Sequence, residues 1–269
     1  TLSENWTLTN LTQDADLDGI EDDDDDCPNT YGRSTVDRVG CPDTDNDGYS
    51  NQDSSWTLAN GADAFPAEPT QWADGDYDGY GDNAVGFQPD ACTSVAGNST
   101  QDRFGCIDSD GDGWSYPGGG YTVESGADAC DDVLGASWRD RNGCADEDGD
   151  GASDPDPTGA SSSNGSAWDV TDGADAFLGD DTQWVDTDGD GYGDNPAPAT
   201  DPDGCPTQFG DSTADRLGCP DTDGDTYSDP DSGFTAANGA DAFPNEASQW
   251  ADQDAVSYTH LRAHETTPH

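Results

Sequence analysis

Residues 14–28 read DADLDGIEDDDDDCP, and the rest of the chain is best understood by working outward from them. Asp14, Asp16 and Asp18 stand at alternate positions, Gly19 follows, and Asp22 and Asp25 come at positions 9 and 12 of the same stretch. A short carboxylate at every second residue suits a chain that curls around an ion. Calcium takes six to eight oxygens at about 2.3–2.6 Å, and carboxylates at positions 1, 3 and 5 can converge on it. Glycine at position 6 permits the sharp turn, and position 7 offers a carbonyl.

The phrase recurs along the chain, and self-similarity of this kind is the sequence mark of a repeat architecture. It returns at Asp43/Asp45/Asp47, Asp74/Asp76/Asp78, Asp108/Asp110/Asp112, Asp146/Asp148/Asp150, Asp186/Asp188/Asp190 and Asp221/Asp223/Asp225. An eighth copy begins at Asp252 and Asp254. Glycine follows the third Asp in six of the seven complete copies, with Thr226 the exception. Position 9 is Asp22, Asp82, Asp154, Asp194 or Asp229 in five copies, Asn51 in a sixth and Tyr116 in the fourth. Tyr116 is expected to weaken its site most. An EF-hand needs Glu at position 12 and flanking amphipathic helices. Neither is present, and the Gly-, Pro- and Ser-rich flanks break helices.

The first copy, D-x-D-x-D-G-x-x-D-x-x-D-x-C-P, resembles the thrombospondin type 3 repeat, in which the chain wraps around a string of calcium ions. The resemblance covers roughly residues 14–254. It implies an extracellular matrix or adhesion context, and modules that bind and support rather than catalyse. The later copies depart from the pattern. Their closing Asp is postponed, and stands two residues before a Cys or Phe at Asp63, Asp90, Asp128, Asp175, Asp203 and Asp241, as Asp25 stands before Cys27. We expect each of these loops to carry an insertion, after which the late Asp returns to close the site.

Two kinds of unit alternate between the loops. One runs from Cys to Cys, with the pairs Cys27/Cys41, Cys92/Cys106, Cys130/Cys144 and Cys205/Cys219 each fourteen positions apart. An even number of cysteines at one spacing in a core-poor chain reads as a disulfide framework from an oxidising compartment. The spacing favours pairing within each unit, with bridges between neighbouring units as the alternative. Each local bridge would contribute roughly 3 kcal/mol in the chain-entropy model. Zinc is a poor fit, since there is no CxxC and no His near any Cys. The other unit has no Cys and reads Phe65…Gln71-Trp72, Phe177…Gln183-Trp184 and Phe243…Gln249-Trp250. Aligned on the following Asp, Trp72 falls where Cys41 does, and Phe65, two residues after its closing Asp, falls where Cys27 does. A Phe–Trp contact is therefore expected in place of the disulfide. Arg38, Arg103, Arg141 and Arg216, each three residues before a second Cys, are expected to offset neighbouring carboxylates.

Composition sets the outer limits. Leu, Ile, Val and Phe number 27 of 269 residues, far below what a core of this size requires. Ordering the backbone costs roughly 1–2 kcal/mol per residue, so a conventional hydrophobic core is ruled out. No run approaches the length of a transmembrane helix. The net charge is -53, built from 53 Asp against 7 Glu, with 7 Arg and no Lys. Its sign excludes nucleic acid and, without a bridging cation, an anionic membrane surface. The expected fold is irregular, mostly coil and turn with few short strands or helical turns, organised by calcium and clipped by disulfides. Without metal the clustered carboxylates would repel, so folding is expected to be linked to calcium binding.

The ends differ from the middle. Residues 1–13 alternate Leu, Trp and Thr, as the last strand of a preceding domain or a linker would. The segment 255–269 holds all three His, and its SYTHLRAHET resembles the translation of a sequencing-adapter read. The chain has no Met and no signal peptide, and reads as part of something longer or a processed form. Sequons at Asn5, Asn10, Asn98 and Asn164 fit an exported glycoprotein.

The function these features support is a calcium-binding structural or adhesive spacer of a large secreted or cell-surface protein. Its partners would be calcium ions and cell-surface or matrix proteins or glycans, with no nucleic acid and no membrane insertion. The alternatives are a dockerin-like or other calcium-dependent binding module, which would need helices after its loops, and a non-catalytic region of a secreted enzyme. No Ser/His/Asp or Cys/His set lies in the repeat region, and no apolar pocket is available to raise a catalytic carboxylate. A high-salt protein would scatter Asp and Glu over a normal core, and neither feature is seen.

Overall fold

Thirty-four Gly and 16 Pro break up every helical or strand period before it can extend. The structure, a computed structural model, describes residues 13–157 and 167–252. Among these residues the helical elements are three single-turn 3-10 helices, Leu58–Asn60, Val123–Ser125 and Ala236–Asn238. Each starts after an extended threonine and stops at a left-handed glycine, Gly61, Gly126 or Gly239. Strand pairing is limited to isolated bridges such as Asn51 to Asp63 and Gly81 to Pro89. The fold is irregular, as the composition demands. No helix among the described residues is long and apolar enough to cross a membrane. The expected strand within residues 1–13 (all but Gln13), the tail 255–269, Asp254 and the sequons at Asn5, Asn10 and Asn164 lie outside the described residues.

The chain divides into two compact units, Thr1–Gly135 and Ala136–His269. The first carries loop 1 (Asp14–Asp22), loop 2 (Asp43–Asn51), loop 3 (Asp74–Asp82) and loop 4 (Asp108–Tyr116). The second carries loop 5 (Asp146–Asp154), loop 6 (Asp186–Asp194) and loop 7 (Asp221–Asp229). Pairing of the cysteines is local: Cys27–Cys41, Cys92–Cys106 and Cys205–Cys219 are bonded, with Cα atoms 5.0, 5.1 and 5.0 Å apart. Cys130 and Cys144 are disulfide-bonded as well, and no cysteine is free.

What is buried is not a hydrophobic core. The buried apolar residues are Cys and Ala, among them Cys41, Cys106, Cys219, Ala62, Ala127, Ala174 and Ala240. Beside them lie serines and, among the largest fully buried side chains, Asp63, Asp128, Asp175, Asp241, Gln71 and Gln183. Burying a carboxylate without a compensating partner is strongly unfavourable, so these buried aspartates call for a counter-charge or a proton.

Candidate metal centres

Each loop is wound by its own carboxylates. In loop 2, Asp43 accepts the N–H of Asn46 at 2.7 Å on one oxygen and that of Gly48 at 3.0 Å on the other. Asp47 accepts the N–H of Tyr49 at 2.8 Å. The same bonds, from positions 4, 6 and 7 onto positions 1 and 5, recur in loops 1, 3, 4, 5, 6 and 7. The winding is locked by a backbone bond from the N–H of position 9 to the carbonyl just before position 1, as from Asn51 to Pro42 at 2.7 Å. Positions 4 and 6 must both be left-handed for this. Leu17, Asn46 and Tyr77 adopt φ of 63°, 65° and 65° at position 4, and Thr226 adopts 82° at position 6. A β-branched residue at positive φ is strained, at roughly 1–3 kcal/mol. Thr226→Gly is expected to stabilise the protein by about 1 kcal/mol, after the extra chain entropy of glycine. A thermal melt in calcium reads the gain, and an unchanged midpoint would remove the strain argument.

The three carboxylates of a loop then face inward together. Ligand oxygens of Asp14/Asp16/Asp18, Asp43/Asp45/Asp47, Asp74/Asp76/Asp78, Asp108/Asp110/Asp112 and Asp146/Asp148/Asp150 lie within 4.8 Å of one another, and two further groups of acidic or ligating side chains do the same. An ion bonded at about 2.4 Å bridges oxygens up to about 4.8 Å apart, so these triplets can hold one. Every oxygen the triplets offer is hard.

Loop 7 departs from the others at Asp225, which is followed by Thr226 where every other position-5 Asp is followed by glycine. The side chain of Asp225 is nevertheless placed as in the other loops. It accepts the N–H of Tyr227 at 3.0 Å, and the Asp225 N–H donates to Asp223 at 3.2 Å. The missing glycine therefore costs loop 7 backbone strain at Thr226, not the position of its third carboxylate.

The late aspartates return to their loops. The N–H groups of Asp63, Asp90, Asp128, Asp175, Asp203 and Asp241 bond to the carbonyl of position 8, namely Ser50, Gly81, Ser115, Ser153, Gly193 and Ser228. One carboxylate oxygen of each accepts the N–H of the Cys or Phe two residues on, at 2.6–2.7 Å, and Asp25 does likewise. The other oxygen of Asp63, Asp90, Asp128, Asp203 and Asp241 is buried without a hydrogen-bond partner. So is at least one oxygen of the position-3 residues Asp16, Asp45, Asp76, Asp110, Asp148, Asp188 and Asp223. Burial, reinforced by the triplet charges, pushes Asp63, Asp90, Asp175, Asp203 and Asp241 up to about 6 and Asp128 to about 7, even though a backbone N–H acts in the opposite sense. A group of buried, unpartnered, mutually repelling oxygens is what a cation would satisfy.

Position 9 works mainly through hydrogen bonds. Asp22, Asn51, Asp154, Asp194 and Asp229 each accept the N–H of position 2. Asn51 therefore does what the Asp residues do. Asp82 differs, with one oxygen buried and unpartnered. Tyr116 keeps the backbone bond, to Ile107 at 2.7 Å, but brings no carboxylate.

Each loop after the first is latched to the segment just before it by residues whose roles were only partly visible in the sequence. Asp37 accepts the N–H and hydroxyl of Ser50, at position 8 of the next loop, at 2.8 and 2.6 Å. Arg38 donates to the Ser50 hydroxyl, to the Asn51 carbonyl and to Asp53, and its guanidinium lies 5.3 Å from the Trp56 ring centroid. Asp102, Asp140 and Asp215 hold Ser115, Ser153 and Ser228 in the same way. The arginines thus do more than offset charge, although Arg38, Arg141 and Arg216 do pair with Asp53, Asp156 and Asp231. In loops 3 and 6 position 8 is glycine, and a buried Gln takes over. Gln71 accepts the N–H of Asn83 and donates to the carbonyls of Asn83 and Phe87, and Gln183 treats Asn195 and Thr200 alike. A Cβ at Gly81 or Gly193 would collide with that Gln.

The cysteine units also reach backward. Gly32, Gly97, Gly135 and Gly210 donate to the position-5 carboxylates Asp18, Asp78, Asp112 and Asp190. Asp47, Asp150 and Asp225 end the triplets of the three loops that precede a Phe unit. They have no such glycine donor among the described residues, and one oxygen of each is buried without a partner. Gly40, Gly105 and Gly218 lie so close to the closing Asp25, Asp90 and Asp203 that a Cβ would overlap the carboxylate, and their φ values are 75°, 75° and 70°. Gly105→Ala is expected to cost on the order of 2–3 kcal/mol, from positive-φ strain and from displacement of Asp90. A melt in calcium that matched the unaltered protein would contradict this.

The expected Phe–Trp staple is corrected. Among the described residues no ring contact joins Phe65 to Trp72. Trp72 stacks on Tyr49, at position 7 of the preceding loop, with centroids 5.2 Å apart, and Trp250 stacks on Tyr227 at the same distance. The Trp72 carbonyl accepts the N–H of Ala64, the bond that Phe104 makes with Ala91 and Val39 with Asp26. Trp72 thus occupies the place of Phe104, which packs on Tyr80 at 5.7 Å, and not that of a cysteine. In loop 5 position 7 is Ala152, and the guanidinium of Arg139 covers Trp184 at 3.6 Å instead.

No protein-family model matches the chain, and no curated protein matches it either.

Proposed function

We propose that this chain is a calcium-binding structural segment of a secreted or cell-surface protein, built like a thrombospondin type 3 array and rigid only when its loops are filled. The observation that carries this reading is the repeated meeting of a buried closing aspartate, its outer oxygen unpartnered, with an inward-facing triplet. Calcium is favoured over magnesium because the oxygens come from irregular turns. Magnesium demands near-octahedral geometry and keeps its waters. The disulfides support an oxidising, extracellular setting. Adhesive partners, proteins or glycans, would then meet a stiffened surface, and the role is support and binding rather than catalysis.

The residues proposed as ligands are the triplets and closing aspartates of all seven loops, with the position-9 oxygens of Asp22, Asn51, Asp82, Asp154, Asp194 and Asp229 beside them. Seven divalent ions would bring the net charge from -53 to -39. A dockerin-like module is disfavoured, since a 3-10 turn, a disulfide unit or a Phe unit follows the loops where that module needs helices. Equilibrium dialysis against calcium, with circular dichroism of the same samples, tests the reading. It predicts about one ion per loop and no gain in helix. Fewer than two ions per chain, or a helical spectrum appearing with calcium, would overturn it.

A further inference from the structure

Loops 2, 4, 5 and 7 reach their closing aspartates, Asp63, Asp128, Asp175 and Asp241, 12, 12, 21 and 12 residues after position 9, whereas loops 1, 3 and 6 close after 3, 8 and 9. The four with the longer insertion are the four that follow an Asp-Arg-x-Gly-Cys segment, and each insertion contains a single aromatic residue, Trp56, Tyr121, Trp168 or Phe234. Loops 1, 3 and 6 have Thr9, Pro69 and Asp181 five residues before the triplet, where the arginine stands in the others. We propose that Arg38, Arg103, Arg141 and Arg216 are positioning residues for the cation sites of loops 2, 4, 5 and 7, each clamping that ring and so setting the closing aspartate at the far end of the insertion in its place. This inference rests on the calcium reading above.

The guanidinium groups lie 5.3, 4.1, 5.3 and 4.4 Å from the ring centroids of Trp56, Tyr121, Trp168 and Phe234. Arg38, Arg103 and Arg216 donate to the position-8 hydroxyls of Ser50, Ser115 and Ser228 and to the position-9 carbonyls of Asn51, Tyr116 and Asp229. Arg38, Arg141 and Arg216 also hold an acid two residues past position 9, Asp53, Asp156 and Asp231, at 2.7, 3.1 and 2.6 Å. A planar guanidinium can cover a ring with its face while its edge donates hydrogen bonds, which a lysine ammonium does not do.

From the ring to the aspartate the chain makes a single tight turn. The carbonyl of the residue after the ring, Thr57, Thr122, Asp169 or Thr235, accepts the N–H of Ala62, Ala127, Ala174 or Ala240 at 3.1–3.2 Å. The closing aspartate is the next residue, and the alanine itself is buried in all four. The glycine before each alanine is left-handed, with φ of 103°, 111°, 113° and 114°. A Cβ added to Gly61, Gly173 or Gly239 would stand 3.9, 3.6 or 3.7 Å from the ring of Trp56, Trp168 or Phe234. The ring that meets the guanidinium therefore also meets the backbone two residues before the aspartate. Held in this way, the four closing aspartates are no more than 1% exposed, and one oxygen of Asp63, Asp128 and Asp241 is buried without a partner.

The test uses the full chain in equilibrium dialysis across a range of free calcium, with loop 7 as the target because the Phe234 ring carries no polar group of its own. Arg216→Gln and Phe234→Ala are each expected to leave all but one ion unaffected. Each should raise the free calcium that fills the remaining site by roughly 10–100-fold, the range for groups that support a metal ligand. Arg216→Lys should shift that site as Arg216→Gln does, because charge alone does not make the clamp, whereas Phe234→Tyr should bind as the unaltered chain does. The double variant Arg216→Gln/Phe234→Ala should shift the site no further than either change alone, a coupling that two unrelated structural losses would not produce. Phe209→Ala, at an exposed ring outside the clamp, should change nothing. If Arg216→Gln, Arg216→Lys or Phe234→Ala fills every site at the calcium level of the unaltered chain, if any of them displaces more than one ion, or if the two changes add, this assignment is wrong and the calcium reading stands. If the unaltered chain binds no calcium, both fall.

Discussion

Replacing Asp63 by asparagine is expected to strip one calcium ion from the chain and to free the segment 52–62 from its loop. Asp63 is 1% exposed, one of its oxygens is tied to the Phe65 N–H, and the other has no partner. The charges of Asp47, Asp45 and Asp43 add to the burial that raises this carboxyl group. An amide of the same shape keeps the bond to Phe65 but brings a dipole where the ion needs an anion. Groups that merely support a metal ligand are worth 10–100-fold in affinity, so loss of a direct ligand should cost this site on the order of 100-fold or more. The insertion hangs on the same anchor, through the bond from the Asp63 N–H to the Ser50 carbonyl. Faster proteolysis within 52–62 should therefore accompany the lost ion. An Asp63→Asn chain that bound a full set of ions, with unchanged cleavage, would show that the late aspartate does not close the loop.

The second large effect is on pH. An unperturbed Asp titrates near 3.9, whereas six closing aspartates are raised to about 6 or 7 in the fold, by burial first and by the triplet charges beside them. Between pH 4 and 7 the folded metal-free chain thus holds more protons than the unfolded one. Stability rises with pH only where the unfolded state holds more, so here it falls. The metal-free protein is expected to be most structured near pH 4–5 and to loosen as pH climbs through 6 to 7. On the proposed reading calcium is expected to reverse the trend, because it would bind the ionised form and displace protons. Its affinity should rise over the same interval, with proton release on binding measurable in two buffers by calorimetry. A metal-free chain that became more compact between pH 5 and 7 would contradict the placement of these six groups.

The loops and their closing residues were legible because their signal is dense and periodic. Asp at every second position, glycine at the sixth, and an Asp two residues before each Cys or Phe are features a single strand of text displays. The return of Asp63 after a long insertion was legible only through its constant relation to Phe65. The latches were not. They join residues 12–17 apart, and are made by Ser50, Gln71 and backbone carbonyls, residues too ordinary to announce a role. Position 4 was hidden because Leu17, Asn46 and Tyr77 adopt positive φ where Gly111, Gly149, Gly189 and Gly224 stand in other loops. The placement of Trp72 failed for a geometric reason. Counting back from Asp74 equates it with Cys41, but the Phe unit is shorter than the cysteine unit, and its chain rejoins the loop by the bond to Ala64. Which residue stacks on Tyr49 follows from that bond, not from the count.

Small-angle scattering of the full chain, in millimolar calcium and again in excess chelator at pH 7, tests the central claim that cations take the place of a core. The account predicts an ordered particle with calcium, and expansion on chelation toward the ~57 Å radius of gyration of an unfolded chain of this length, limited only by the four disulfides. Identical scattering curves in the two conditions would contradict it, since the buried carboxylates would then be stable without the ions proposed to hold them.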